Sequence, residues 1–200
     1  MGTQTTFTTF SGYTFYWFKE ITCISYTMIY GTPVKGEDGL YHVRAYTDDR
    51  KRYFVRVAGS KIVDINDDDI TFDVNASEAI DSLHDMNIAS AIENSEAWFG
   101  KKVSDKTIRS SYIRDETITA DRIEQTKFFG DDRVPLENDA LQSDMTCSVI
   151  LEFGGLWFAK KAFGPAWNVV QVKACCQKSC DAQENFDETY PEDYMFEDDE

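Results

Sequence analysis

Two short runs alternate cations and rings in a chain that is otherwise acidic. Residues 41–46 read YHVRAY and residues 52–57 read RYFVRV. Successive side chains of a strand point to opposite faces. His42, Arg44 and Tyr46 therefore share one face of the first run, and Arg52, Phe54 and Arg56 share one face of the second. Tyr41, Val43 and Ala45, with Tyr53, Val55 and Val57, form the more apolar reverse. The residues TDDRK between the runs predict a β-hairpin. Such a hairpin merges the two outer faces into a surface of three guanidinium groups, one imidazole and two rings. That chemistry suits single-stranded nucleic acid, with cations for phosphates and rings for unstacked bases, each stacked base contributing about 1–3 kcal/mol. The same side chains also describe a solvated face on which Arg stems cover neighbouring rings.

Two further groups mix cations with rings. Lys101, Lys102, Lys106, Arg109 and Arg114 lie beside Trp98, Phe99 and Tyr112, and Lys160 and Lys161 stand between Trp157-Phe158 and Phe163. At contact range a ligand feels local charge rather than net charge. The acids Asp64, Asp67, Asp68, Asp69 and Asp73 offer a carboxylate site of the kind that holds Mg²⁺ in two-metal nucleases. They also fall at a turn between strands, where Asp and Asn serve local hydrogen bonding. No GxSxG, P-loop or HExxH occurs, and His42 and His84 have no triad-like context. The expectation is a protein that is not an enzyme and carries no cofactor and no metal.

Charge is distributed unevenly. The chain has 36 Asp+Glu against 20 Lys+Arg, a net charge of -16. Residues 181–200 hold ten of those acids, no Lys or Arg, and the rings Phe186, Tyr190, Tyr194 and Phe196. Subtracting that segment leaves 26 acids and 20 bases, so residues 1–180 carry a net -6. A like-charged block of this kind is expected to be disordered. Rings spaced through it suit recognition of a basic, partly apolar groove. The size of the remainder predicts one domain, 1–180, followed by the acidic tail, 181–200. The first residues lack a basic segment followed by an apolar run, so no signal peptide is expected, and no stretch has the length of a membrane span. Cys23, Cys147, Cys175, Cys176 and Cys180 are an odd number without zinc-type spacing, which predicts reduced thiols in an intracellular compartment.

These groups are positioned by a strand-rich pattern. Residues 13–30 are β-branched and aromatic and predict a strand closed by Gly31 and Pro33. KIVDIN (61–66) and ITFDV (70–74) predict strands around the acidic turn. Between 77 and 99, Ile80, Leu83, Ile88, Ala91, Ile92 and Trp98 recur at helical intervals, with Gly100 as terminator, and a second helix is expected over 104–112. Residues 113–144 give no clear element, with Gly130 and Pro135 marking loops. MTCSVILEF (145–153) and WNVVQVKA (167–174) predict two closing strands around GGLWFAKKAFGPA. Many strands with helix inserted midway fit a closed or nearly closed antiparallel barrel.

The closing segment SVILEFGGLWFAKKAFGPAWNVVQVK resembles the last hairpin of the tailed-phage-type single-stranded DNA-binding proteins. IENSEAWFGKK resembles the helix and basic turn of the branch found in large DNA viruses of eukaryotes, and the acidic tail with Phe196 is similar to that family's C-terminal arm. The resemblance covers 77–110 and 145–200. It implies an OB-like barrel that coats single-stranded DNA in replication, recombination and repair, often as a homodimer, with the tail recruiting polymerase or helicase. Localisation would then be a host nucleus or a cytoplasmic viral replication site. By residue it implies DNA contact at Arg44, Tyr46, Arg52, Phe54 and Arg56, extended by Lys101, Lys102, Trp157, Lys160 and Lys161. It implies partner contact at Tyr194, Phe196, Glu197, Asp198 and Asp199. Four residues follow Phe196, so the aromatic is not terminal here. A rival reading is an acidic virion or scaffold protein that binds proteins and not DNA.

Overall fold

The computed structural model describes residues 27–74, 77–130, 133–137 and 140–174. In chain order these form β1 (Met28–Tyr30), β2 (Val34–Lys35), β3 (Tyr41–Thr47), β4 (Tyr53–Ile65), β5 (Asp69–Asp73), α1 (Glu78–Glu93), α2 (Ser95–Phe99) and α3 (Asp105–Ser111), then β6 (Thr117–Phe129), β7 (Thr146–Phe158) and β8 (Phe163–Ala174). Of the expected strand over 13–30, residues 13–26 lie outside the described residues and the last three form β1; the acidic tail also lies outside them.

Five strands close a ring. β4 pairs with β5, β5 with β6, β6 with β8, β8 with β7, and β7 with β4 again. Every pairing in the ring is antiparallel except β6–β8, which is parallel. A five-stranded barrel in this order is the OB arrangement, so the expected mainly β, OB-like fold is the one observed, with the helices inserted between β5 and β6. Alternation fills the interior: Val55 and Val57, Ile70 and Phe72, Ile118 and Ala120, Val149 and Leu151, and Val169 are all buried in one core. Burying each large side chain contributes about 1.5–3 kcal/mol.

The expected hairpin does not form. β3 and β4 both run antiparallel to β7 along one edge, β3 beside Gly155–Phe158 and β4 beside Thr146–Phe153. The chain therefore keeps its direction from β3 into β4. The intervening residues step aside in a loop tied by Arg50 N donating to Thr47 O at 2.9 Å and Lys51 N donating to Thr47 Oγ1 at 3.0 Å. Alternation cannot distinguish the two arrangements, because each turns Val43 and Val55 inward. The decision rests on β7, whose 13 residues are long enough to pair with both.

Other elements are longer than their patterns. β4 runs unbroken through Gly59, with a register shift between Val57 and Ser60, joining two expected strands into one. β7 and β8 continue through GGLWF and FGPA to a turn at 159–162, so the paired glycines mark a bulge inside β7 rather than its end. β6 occupies the stretch that gave no clear element. Its inward residues Ile118 and Ala120 alternate, but its middle is polar and its pairing with β8 shifts between Arg122 and Lys127. The expected long helix breaks at Asn94 into α1 and α2 and ends at Gly100, whose φ of 68° is left-handed. The second helix is capped as its sequence implies, Ser104 Oγ accepting from Thr107 N at 3.3 Å. Among the described residues, no helix is long and apolar enough to cross a membrane.

Among the described glycines, Gly155 has the least room for a side chain. Its φ is 128°, and a Cβ there would sit 2.0 Å from Val43 O and 3.0 Å from Ala45 N. Only glycine lets β3 approach β7 this closely. Gly155→Ala is expected to destabilise the protein by about 2–4 kcal/mol through backbone strain and overpacking, read by urea denaturation.

A buried polar chain joins the helices to β1. Asn87 Nδ2 donates to Tyr112 Oη at 3.0 Å, Tyr30 Oη donates to Asn87 Oδ1 at 2.5 Å, and His84 Nδ1 lies 2.7 Å from Tyr112 Oη. A neutral His84 accepts the Tyr112 proton here. Burial pushes the imidazole pKa down, Arg114 adds to this, and Asp81 and Asp85 oppose it. The unfolded chain thus takes up a proton on acidification before the folded one does. Stability contributed by His84 is full above the ordinary pKa of about 6.5 and is lost as pH falls below it toward the lower folded value. Tm is therefore expected to fall between pH 7.5 and 5, with a shallower fall in His84→Gln, measured by calorimetry.

Candidate nucleic-acid interface

β3 carries its alternation from Val43 onward: Val43 and Ala45 are buried, while His42 and Tyr46 are half-buried and Arg44 is exposed on the outer face. Tyr41, expected on the apolar side, is exposed at the start of the strand. Pairing with β7 places His42 opposite Trp157 and Arg44 opposite Gly155. Directly opposed side chains stand about 5 Å apart, so Trp157 joins the outer row of β3. Its indole Nε1 donates to Pro165 O at 3.1 Å, and the ring lies across Gly164, where a Cβ would come within 3.2 Å of it. The indole is thus fixed in orientation and half-buried. His42 Nε2 is 2.9 Å from Asp38 Oδ2, and this hydrogen bond is the main reason the Asp38 pKa is lowered.

Where β3 passes into β4 the outer face opens into a cleft of about 280 Å³, lined by Arg44, Ala45, Tyr46, Arg52, Glu152, Phe153, Gly154 and Asn168. Arg52 Nη1 lies 2.7 Å from Glu152 Oε1, and Asn168 Nδ2 donates to Glu152 Oε2 at 3.2 Å. The Glu152 side chain is 7% exposed against 38% for Arg52, so the acid forms the floor and the guanidinium reaches the mouth. Arg44, Tyr46 and Arg52 are therefore brought together, although by a shared neighbour and not by a hairpin. Phe54 and Arg56 are not. They point away from the barrel core on β4 but are only 3% and 5% exposed, and the accessible surface does not include them.

Four further cations, Lys101, Lys102, Lys160 and Lys161, gather at one end of the barrel. Phe99 packs its ring edge-on against Phe158 and Phe163 at centroid distances of 5.5 and 5.6 Å, and Phe158 and Phe163 stack on each other at 5.3 Å. These two residues bracket the β7–β8 turn, which carries the exposed Lys160 and Lys161. Seating Phe99 there delivers the exposed Lys101 and Lys102, which follow through Gly100, to the same end. Arg114 is engaged elsewhere, with Asp81 at 2.6 Å and Asp85 at 3.4 Å.

The β5–β6 face is the reverse in charge. Its outward residues Asp69, Thr71, Asp73, Thr117, Thr119 and Asp121 include no cation and no ring, and Asp69 pairs directly with Asp121. Burial first, then Asp69, raises the Asp121 pKa. OB barrels commonly bind oligonucleotides across this pair of strands, but here a phosphate meets repulsion. The acidic turn before β5 spends its polarity locally: Asn66 Oδ1 accepts from Asp68 N at 2.8 Å and Asp69 N at 2.9 Å. Among the described residues, no cluster of three His, Cys, Asp or Glu is arranged to hold a metal ion.

Glu152, Gly154 and Asn168 were not expected at the site. Glu152 had a legible signal, a single carboxylate inside the apolar run SVILEF, since a buried acid requires a partner. Asn168 had none. Tyr194, Phe196, Glu197, Asp198 and Asp199 lie outside the described residues.

A family model matches residues 58–198, from the middle of β4 into the tail. The chain belongs to a family of unknown function, DUF5871. The DUF5871 match takes in the four lysines, Trp157 and the tail as far as Asp198, while Arg44, Tyr46, Arg52, Phe54 and Arg56 precede it. No curated protein matches the chain. Among solved structures, the single-stranded DNA-binding protein from bacteriophage Enc34 in complex with ssDNA is similar at 14% identity and a TM-score of 0.41, over 74% of this chain and 96% of that one. At that score the OB-like assignment of this DUF5871 member rests on its own strand order.

The burial pattern separates structural from accessible residues. Phe54→Ala is expected to cost about 3–5 kcal/mol of stability. Lys160→Ala with Lys161→Ala should shift Tm by no more than about 4 °C, because exposed substitutions are nearly neutral. Thermal melts of both variants check this.

Proposed function

We propose that this chain is a non-catalytic, sequence-independent single-stranded DNA-binding protein of viral DNA replication, recombination or repair. The observation that carries the reading is the gathering of Arg44, Tyr46 and Arg52 around one cleft, followed along β7 by Trp157 and then by the exposed lysines at the end of the barrel. The acidic β5–β6 face makes that track the favourable path for a phosphate chain. Cations neutralise phosphates along it, and the fixed indole of Trp157 and the ring of Tyr46 stack on bases, which is sequence-tolerant. The tail, with its ten carboxylates, competes for the same track in cis. Displaced by DNA, it presents Tyr194, Phe196, Glu197, Asp198 and Asp199 to a polymerase or helicase. The protein acts as a homodimer in the reducing interior of an infected cell, in the nucleus or at a cytoplasmic replication site.

The test is a fluorescence titration of oligo-dT and a matched duplex at several salt concentrations, with the full chain and with a chain ending at Cys180. The single strand should be preferred, with log affinity falling by about 0.7 per log unit of salt for each phosphate neutralised. Trp157→Ala should weaken binding about tenfold with the slope unchanged, and removing the tail should tighten binding most at low salt. Equal or absent binding of strand and duplex would overturn the proposal. One observation favours the rival reading, an acidic protein-interaction module: the β5–β6 face, acidic and ring-free, suits a basic partner. Capture of a basic protein without any single-strand binding would select it.

A further inference from the structure

The cleft holds a carboxylate where a phosphate-binding groove has no need of one. Glu152 Oε1 is 2.7 Å from Arg52 Nη1 while Oε2 accepts from Asn168. Its place is set by the backbone, since Glu152 stands opposite Phe54 on β4 and opposite Asn168 on β8 in register. The acid is nearly fully buried, whereas Arg52 is partly exposed at the mouth. Among the described residues that line the cleft, Arg44 and Arg52 against Glu152 sum to one positive charge rather than two.

We infer that Glu152 is a built-in competitor for phosphate: it holds the Arg52 guanidinium from below and limits how tightly a single strand is bound. This rests on the proposed DNA-binding reading and adds a residue that sets its strength. A guanidinium presents donors in a rigid fork suited to a carboxylate or a phosphate. With Glu152 on one side of the fork, an arriving phosphate shares Arg52 instead of owning it. A strand held this way exchanges readily, which a coat that must yield to other proteins requires.

The experiment compares wild type, Glu152→Gln, Arg52→Ala and the double variant in oligo-dT titrations across a salt series, with Tm measured for each. Glutamine keeps the size of the side chain and removes its charge. Glu152→Gln should bind about tenfold tighter at low salt, with the salt slope steeper by about 0.7, the increment for one more neutralised phosphate. In the Arg52→Ala background the same substitution should do nothing, because the competition is for Arg52. Glu152→Asp, which keeps the charge but withdraws it by one methylene, carries the same test at smaller amplitude should the glutamine variant fail to fold. Equal tightening with and without Arg52 would reduce Glu152 to a general charge effect and overturn the inference. Weaker binding by Glu152→Gln would also overturn it, by showing that the acid orients Arg52 for the ligand. A wild-type chain that binds no single strand would remove the functional reading and this inference together, whereas normal wild-type binding with an unresponsive Glu152→Gln would remove the inference alone.

Discussion

The close approach of β3 to β7 at Gly155 is the constraint on which the rest depends. β7 supplies one edge to β8 and the other to β4 and then β3. That succession is possible because β7 changes register between Phe153 and Gly155, just where β4 stops and β3 begins. A side chain at 155 would occupy the space of the Val43 carbonyl. Without one, β3 docks, Arg44 falls opposite Gly155, and the gap between β3 and β4 becomes the cleft. The convergence of Arg44 with Arg52 follows from one strand having three neighbours, while the ring itself closes through the pairing of β7 with β4 and β8.

Electrostatics then divides the barrel. Asp69, Asp73 and Asp121 make the β5–β6 surface repellent to anions, while the cleft and the helix end concentrate cations. The pairs Arg114–Asp81 and Lys61–Asp144 are exposed and contribute little to stability. Arg52–Glu152 differs, since its acid is buried and its base is not. A chain of net -16 can in this way present a local positive track, because screening confines each charge to about 10 Å.

Much of the fold was legible. Alternation in 41–46 and 52–57, the helical period in 77–99 and the apolar runs of the last two strands identify the inward residues Val43, Val55, Ile80, Leu83, Val149 and Val172, all of them buried. The break at Asn94 and the extension of β7 through Gly154 and Gly155 were not, since a glycine pair reads as a turn until its strand partners are known. β6 was missed for a related reason. Its outer face is polar, and its ladder with β8 joins residues 40 or more positions apart.

The same division holds for the site. By itself the sequence determined which residues carry charge and rings, and that Arg44, Tyr46 and Arg52 face away from the core, because the two-residue period of a strand is a local property. Only the tertiary structure decided that Arg44 and Arg52 meet through β7, that Phe54 and Arg56 are buried, and that Glu152 sits beneath Arg52. Those outcomes depend on which strand lies beside which, and pairing is fixed by closure of the whole barrel rather than by any single run of residues.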